Sequence, residues 1–295
     1  MAKRVLLAVN PHARRGSDAS GKAERALRAA GHTVTVIAPE KDPKAFEAAI
    51  ARHRGQIDVV AIGGGDGTLI SAIGGIRAVG VPLLILPLGT INELARTLKI
   101  PQDIEEACAL LDGGERHAID VGKVNEHWFF NEASIGLSTH VAQEQTEEVK
   151  SRWGMLAIPI ATLRSLGSMR PYRLEVETQT GKRVFRTVQL TVANSYRFGG
   201  IVENPEASID DGLLDLYSID VRHWWDAFAI IVAVALKRFP KAHCVTDLRG
   251  ERFRVTARRA HRVFADGEPA TRTPAEFTIV KRALEIYRPQ ENDAA

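Results

Sequence analysis

The run Gly63-Gly64-Gly65-Asp66-Gly67-Thr68 follows a short apolar stretch, Val59–Ile62, and opens a segment with helical spacing. Three glycines let the main chain approach a phosphate closely, and a helix N-terminus supplies N–H groups and a positive dipole. Asp66 stands where neighbouring peptides can hold it toward those phosphates, placed to hold a magnesium ion through water. Taken as a bare pattern, the run also fits a tight strand-to-helix turn with an aspartate cap. It is neither the dinucleotide fingerprint G-x-G-x-x-G nor a Walker loop, because no Gly-Lys-Ser/Thr follows. Two more polar loops close apolar runs: Asn10-Pro11, leading into Ala13-Arg14-Arg15-Gly16, and Pro87-Leu88-Gly89-Thr90-Ile91-Asn92-Glu93. In an open α/β sheet, loops beyond the carboxyl ends of the strands build the ligand crevice. Three polar loops on one edge therefore point to a crevice there.

Two acidic turns lie further on. Asp210-Asp211-Gly212 pairs carboxylates with nearby carbonyls, an oxygen set suited to a hard cation, although a plain turn has the same composition. Asp266-Gly267-Glu268-Pro269 follows the strand Arg262–Ala265. If Gly267 forces a tight turn, both carboxylates face one side; a carboxylate beside another, partly desolvated, has a raised pKa and is a better base near neutrality. Alone, this second turn reads as an ordinary hairpin.

The elements that must position these residues change character along the chain. Up to about Gly113 short apolar strands (Val5–Val9, Thr33–Ile37, Val59–Ile62, Leu83–Leu86) alternate with helical segments (Ser20–Ala30, Pro43–His53, Thr68–Ile76, Asn92–Leu98). That alternation predicts a parallel sheet covered on both faces. Beyond it, Tyr172–Glu177, Val184–Ala193, Leu213–Ile219, Arg252–Thr256 and Glu276–Val280 show period-two patterning, which predicts an antiparallel sandwich. Helices are expected near Val149–Ser168 and Trp224–Phe239, and a frayed tail at Gln290–Ala295. The division expected is an α/β domain over 1–123, with a last strand at 283–289 returning to it, and a mainly antiparallel β domain over 124–282.

The chain has 295 residues, 45% of them hydrophobic and 25% charged, with a net charge of only +3. Two domains can each bury a core at that length, while so small a charge argues against a dedicated nucleic-acid binder. Cys108 and Cys244 are far apart, the N-terminus lacks a signal-peptide pattern, and no apolar window reaches the ~20 residues of a membrane span. A reduced, cytoplasmic protein is expected. The stretch His223–Phe239, tryptophan-rich at one end and basic at the other, reads either as a buried helix or as an interfacial segment lying on a bilayer. Arg249, Arg252, Arg254, Arg258, Arg259 and Arg262 add attraction to anionic headgroups or simply occupy exposed strand faces.

Taken together, Gly63–Thr68 and Pro87–Glu93 resemble the diacylglycerol-kinase catalytic domain family, which includes bacterial lipid kinases and the diacylglycerol, sphingosine and ceramide kinases. The resemblance runs through Asn131-Glu132-Ala133-Ser134-Ile135-Gly136, through Asn204-Pro205-Glu206-Ala207-Ser208-Ile209-Asp210-Asp211-Gly212-Leu213-Leu214-Asp215, and through Ala265-Asp266-Gly267-Glu268-Pro269. It covers nearly the whole chain.

The resemblance implies an ATP- and Mg2+-dependent transfer of phosphate to a lipid hydroxyl. Nucleotide contacts fall on Gly65, Asp66, Gly67, Thr68, Leu69, Ile70, Ser71 and Thr90, with Gly63, Gly64, Asn10, Gly89 and Asn92 completing the crevice loops. Asp66, Glu93 and Asp120 form a carboxylate, water and magnesium network. Glu268 is the base toward the lipid hydroxyl, with Asp266 as its partner, which requires the Asp-Gly-Glu turn to face the glycine loop across a cleft. Asp211, with the carbonyls of Ser208 and Leu213, holds a structural metal. Two positions depart from the family pattern: Glu93 replaces an aspartate, and no threonine matches a nucleotide contact near Ala38-Pro39. The implied partners are a lipid substrate and a membrane surface touched peripherally, not nucleic acid, with a homodimer left open. Competing readings are an NAD kinase, whose family also carries G-G-D-G-T, and a non-catalytic nucleotide-responsive regulator.

Overall fold

In the computed structural model, residues 1–11, 13, 16–40, 42–136, 171–195, 197–198, 202–203, 207–220, 225–226, 229, 232 and 243–290 are described. The chain divides into unit 1, Met1–Asp120 with Lys281–Ala295, and unit 2, Val121–Val280.

Unit 1 is built from β1 (Arg4–Val9), α1 (Gly16–Ala29), β2 (Thr33–Ile37), α2 (Pro43–Ala51), β3 (Val59–Gly64), α3 (Asp66–Val79), β4 (Leu83–Pro87), α4 (Glu93–Thr97), α5 (Ile104–Gly113) and β5 (Glu115–Val124) as far as Asp120. Strands β2, β1, β3 and β4 pair in that order, all parallel. Every residue of β3 and β4 is buried, as expected of strands covered on both faces. Helices α2 and α5 begin at aspartate caps: Asp42 accepts from the Lys44 N–H, and Asp103 from those of Glu105 and Glu106. Helix α5 is an addition to the helices read from the sequence. Both cysteines are buried and unpaired, and burial pushes the Cys108 thiol up to about 12.

Unit 2 contains β6 (His127–Phe129), β7 (Glu132–Ile135), β8 (Tyr172–Thr178), β9 (Gly181–Thr187), β10 (Gln189–Ala193), β11 (Arg197–Phe198), β12 (Val202–Glu203), β13 (Leu214–Ile219), β14 (Val245–Gly250), β15 (Arg252–Ala257), β16 (Arg262–Ala265), β17 (Glu268–Arg272) and the start of β18 (Ala275–Arg288), whose residues from Lys281 on belong to unit 1. One antiparallel sheet runs β14-β13-β10-β7-β16-β17; β9, β8, β15 and the start of β18 form another antiparallel set. Side chains from both meet in one core that includes Ile135, Leu190, Val192, Leu214, Leu216 and Val263 from the first and Leu174, Val176, Phe253, Val255 and Phe277 from the second. This is the antiparallel sandwich expected from the period-two segments.

Two strands differ from their sequence reading. Val184–Ala193, read as one strand, breaks at Val188, so that β9 and β10 belong to different sheets. The Thr187 hydroxyl, on a fully buried residue, accepts from the Ile219 N–H at 3.2 Å and holds this corner. Conversely, the two segments expected at 276–280 and 283–289 are one strand, β18, whose last part pairs with β4 in parallel at Ile286. The expected helix near Val149–Ser168 lies outside the described residues. So does most of Trp224–Phe239, although Trp225, Asp226, Ala229 and Val232 are helical. Among the described residues, no helix is long and apolar enough to cross a membrane.

Helices α2 and α3 approach through glycine. A Cβ on Gly75 would lie 2.7 Å from the Glu47 carbonyl oxygen and 2.8 Å from the Ile50 Cβ. Gly75→Ala gains helix propensity, about 1 kcal/mol, but must push α2 outward, an overpacking cost of about 1–3 kcal/mol. The expected outcome is a lower thermal midpoint, read by calorimetry, where an exposed helical glycine would give a higher one.

Candidate active site

The loops at the carboxyl ends of β1, β3 and β4 are tied together. Past β1, the Asn10 N–H donates to the Gly63 carbonyl at 2.8 Å and its side-chain amide to the Thr68 hydroxyl at 3.2 Å. Gly63 and Gly64 complete β3 and are buried. A Cβ on Gly63 would meet Val9 at 2.9 Å, and one on Gly64 would meet Thr68 at 2.6 Å, so both are needed for strand packing. Gly65, half-buried and extended, is the glycine that passes another backbone: a Cβ on Gly89 would lie 2.5 Å from its Cα. The β3 and β4 loops touch main chain to main chain.

Asp66 joins them electrostatically. It sits in the first turn of α3, whose N-cap Gly65 offers no side chain. Its carboxylate instead accepts the Glu93 N–H at 2.9 Å on one oxygen and the Leu94 N–H at 3.2 Å on the other. Asp66 thus caps α4 from another helix. The residue at the α4 cap itself, Asn92, has φ 50 and is engaged elsewhere. Its amide oxygen accepts from the Gly89 N–H at 2.8 Å, and its amide nitrogen donates to the Gly89 carbonyl and to Gln102, both at 3.0 Å. Asn92 therefore fixes the loop from within.

Around this clasp, Gly67 and Thr90 are exposed, Thr68, Ile70 and Ser71 are half-buried, and Leu69 points into the core. The Ser71 hydroxyl donates to the Thr68 carbonyl at 2.8 Å. The α3 N-terminus can receive a phosphate beside exposed main chain.

Asp120, at the end of unit 1, is buried and accepts the Arg282 N–H at 2.6 Å. Asp66, Glu93 and Asp120 do not form a preassembled metal cluster; among the described residues, no three acidic, histidine or cysteine side chains do. Magnesium keeps several waters and takes phosphate oxygens, so it needs only one or two carboxylates. Each Asp66 oxygen, with one main-chain donor, retains acceptor capacity for such a water. The residues present fit a water-held magnesium ion.

In unit 2, Asp266 (φ 44) and Gly267 (φ 86) form a two-residue turn between the paired Ala265 and Glu268. Left-handed φ at both central positions defines the type I′ hairpin that Asp-Gly favours. The Asp266 carboxylate turns away to the main chain leading into β7. It accepts the Phe130 N–H at 2.6 Å and the Asn131 and Glu132 N–H groups at 2.9 Å each. Glu268 is exposed and has no partner among the described residues. The expected pair of partly desolvated carboxylates is replaced by one buttressing aspartate and one open glutamate.

The Asp211 loop also differs from expectation. Its carboxylate accepts the N–H groups of Leu213 (2.9 Å) and Ser208 (3.1 Å). The remaining donor is Arg249, whose Nη2 lies 2.5 Å from Asp211 and whose Nε lies 3.0 Å from the buried Asp215. A guanidinium stands where a structural cation was expected. Burial pushes the Asp215 carboxyl up to about 6; Arg249 opposes that shift, and Asp211 and Asp247 add to it.

Comparison with known proteins agrees with both halves of this architecture. Residues 4–124 match the diacylglycerol kinase catalytic domain, and residues 131–288 match the YegS C-terminal NAD kinase beta sandwich-like domain. The chain belongs to the diacylglycerol kinase family. Two curated relatives called diacylglycerol kinase, from Staphylococcus aureus strains bovine RF122 / ET3-1 and JH9, are each 29% identical over 273 residues, 90% of this chain and 85% of theirs. A solved diacylglycerol kinase structure from Bacillus anthracis str. Sterne superposes with a TM-score of 0.78 at 23% identity, covering 99% of this chain and 97% of that one. That likeness concerns the fold.

Three features take roles that the sequence reading did not give them. Arg249, read as attracting headgroups or as an exposed strand residue, instead pairs with Asp211, 38 residues away, and carries no local signal of that pairing. Asn131, Glu132 and Asn194 form a buried polar group beside Asp266, with the Asn194 N–H on the Asn131 carbonyl at 2.8 Å and its side-chain amide on the Phe130 carbonyl at 2.9 Å. The hint was available: polar residues flank β7 and end β10 where the core pattern stops. Gln102 completes the Asn92 clasp.

Two outcomes follow for the Asp211 loop. Chelation with EDTA leaves the thermal midpoint unchanged, whereas Arg249→Ala lowers stability by about 1–3 kcal/mol, less than a fully buried pair because Arg249 is partly exposed. The Asp215 carboxyl, raised in the folded state, favours folding at pH 4 and loses that contribution as pH rises through about 6. Asp215→Asn therefore flattens the fall in thermal midpoint between pH 4 and 6.5.

Proposed function

We propose that the protein is an ATP- and magnesium-dependent lipid kinase that phosphorylates a hydroxyl of diacylglycerol or a related lipid. The observation that carries this reading is the Asp66 clasp, which joins the glycine-rich loop to the second polar loop in a chain that matches a kinase family across both halves. In this reading the ATP phosphates lie on the α3 N-terminus, contacted by Gly65, Gly67, Thr68 and Ser71, with Thr90 toward the ribose. Asn10, Gly63, Gly64 and Asn92 shape those loops from within, and Gly89 provides the close approach. Asp66, Glu93 and Asp120 would hold magnesium, which would offset charge on the ATP phosphates. The lipid oxygen bonds to the γ-phosphorus as the bond to the β–γ bridging oxygen breaks, ADP leaves, and the hydroxyl proton passes to Glu268. Asp266 acts through position: it fixes the turn that presents Glu268. Positioning and charge neutralisation are what phosphoryl transfer asks of a protein.

Peripheral contact with a membrane belongs to the same proposal, as does a cytoplasmic location. Its support is that Trp225 and Val232, both helical, are 49% and 39% exposed. Exposed tryptophan and aliphatic side chains suit a membrane interface.

Labelled ATP supplied with a mixture of diacylglycerol, phosphatidylglycerol, a sphingoid base and monoacylglycerol is expected to label one lipid class. Label in NADP when NAD is included, or in no lipid, contradicts the reading. Glu268→Gln keeps the size of the side chain but cannot take the proton, so turnover falls about 10²–10⁴-fold. ATP affinity, measured by calorimetric titration, stays at the wild-type value.

A further inference from the structure

Three successive main-chain N–H groups, those of Phe130, Asn131 and Glu132, reach one carboxylate, that of Asp266. Consecutive N–H groups turned to one side form a nest, an anion-binding concavity that an extended strand does not make. The nest also has a back. A trans peptide points its carbonyl away from its N–H. The Phe130 carbonyl shares a peptide with the Asn131 N–H, and the Asn131 carbonyl shares one with the Glu132 N–H. Both carbonyls therefore face away from Asp266.

One residue bonds the two of them. The Asn194 side-chain amide donates to the Phe130 carbonyl at 2.9 Å, and the Asn194 N–H donates to the Asn131 carbonyl at 2.8 Å. Asn194 and Asp266 thus hold the same two peptides from opposite sides, and peptides bonded at both ends polarise and strengthen both bonds. The Asp266 N–H closes the circuit on the Glu132 carbonyl at 2.8 Å. Asn194 is itself placed by the sheet: it follows Ala193, the last residue of β10, which pairs with Glu132. Asn194, Phe130 and Asn131 are all buried, so a carbonyl that loses its donor here has no bulk water to replace it. Without the Asn194 amide, the 130–131 peptide gains by turning its carbonyl to another donor, and its N–H then leaves Asp266.

We infer that Asn194 is a positioning residue for phosphoryl transfer: it holds the nest that holds Asp266, and so sets where Glu268 stands. Asp266 and Gly267 are the turn between the paired Ala265 and Glu268, so a loosened Asp266 displaces the glutamate. The step that Asn194 serves rests on the lipid-kinase reading; its hold on Asp266 does not.

The test compares Asn194→Leu, close in size and without a donor, with Asn194→Ala, which leaves room for a water on the Phe130 carbonyl. Val192→Ala, a core truncation on the same strand, shows what lost stability alone does. Each variant is assayed well below its thermal midpoint. In Asn194→Leu, hydrogen exchange at the Asn131 and Glu132 amides is expected to rise about tenfold or more above that in Val192→Ala. Turnover on lipid, as kcat, falls about tenfold or more, since a small displacement of a catalytic group costs that much. ATP affinity stays at the wild-type value, and Asn194→Ala falls between Asn194→Leu and the wild type. Where Asn194→Leu does not fold, Asn194→Ala carries the same comparison. Unchanged exchange at the two amides, a fall in kcat no larger than in Val192→Ala, or a matching loss of ATP affinity overturns the assignment. A wild-type protein that phosphorylates no lipid contradicts the kinase reading alone, because exchange at the two amides still decides whether Asn194 holds Asp266.

Discussion

The Asp66 carboxylate lies in the first turn of one helix and accepts the first amides of another. Its partner α4 has only five residues, too few to hold its own N-terminus in order, and the asparagine at its cap is already committed to Gly89. The loop after β4 therefore keeps its shape because a charge on α3 holds it. That arrangement also explains the glycines. Once Asp66 draws α4 in, the two loops touch, and only Gly65 and Gly89 can let their backbones pass. What remains exposed is an N-terminal turn next to a carboxylate with spare acceptor capacity, the combination a phosphate with its metal ion requires.

Unit 2 uses the same device. Asp266 accepts three main-chain amides from the segment leading into β7, and its left-handed backbone forms half of the turn that carries Glu268. A carboxylate so held is an anchor, which leaves the proton to its exposed neighbour. Asp211 is a third case, in which two amides and the Arg249 guanidinium satisfy the charge. In all three, charge-assisted bonds to N–H groups do the holding, and these are stronger than bonds between neutral groups.

Much of this was legible in the sequence. The parallel sheet of unit 1 follows from short apolar runs set between helical segments, and β2 matches its expected span residue for residue. Helix α5 was legible too, in the capping pattern of Asp103 followed by two glutamates just past Pro101. The break at Val188 was not, because period-two patterning is the same on both sides of a corner where a strand changes sheets. The single strand β18 looked like two because Lys281-Arg282 interrupts its apolar pattern, and Arg282 adopts a left-handed φ of 49 to reach Asp120. At the site, residue types pointed to where the chemistry gathers. They did not show which carboxylates are taken up by main-chain amides, since those partners lie 27 and more than 130 residues away.

The claim on which the rest depends is that Asp66 both orders the β4 loop and builds the phosphate site. Hydrogen exchange of the Glu93 and Leu94 amides, combined with calorimetric titration of ATP and magnesium, tests both parts in one variant. In Asp66→Ala, protection at these two amides is predicted to fall to that of an exposed loop, and ATP affinity to weaken by about tenfold or more, as when a charge-assisted contact is lost. A variant that keeps the protection, or that binds ATP like the wild type, contradicts the account.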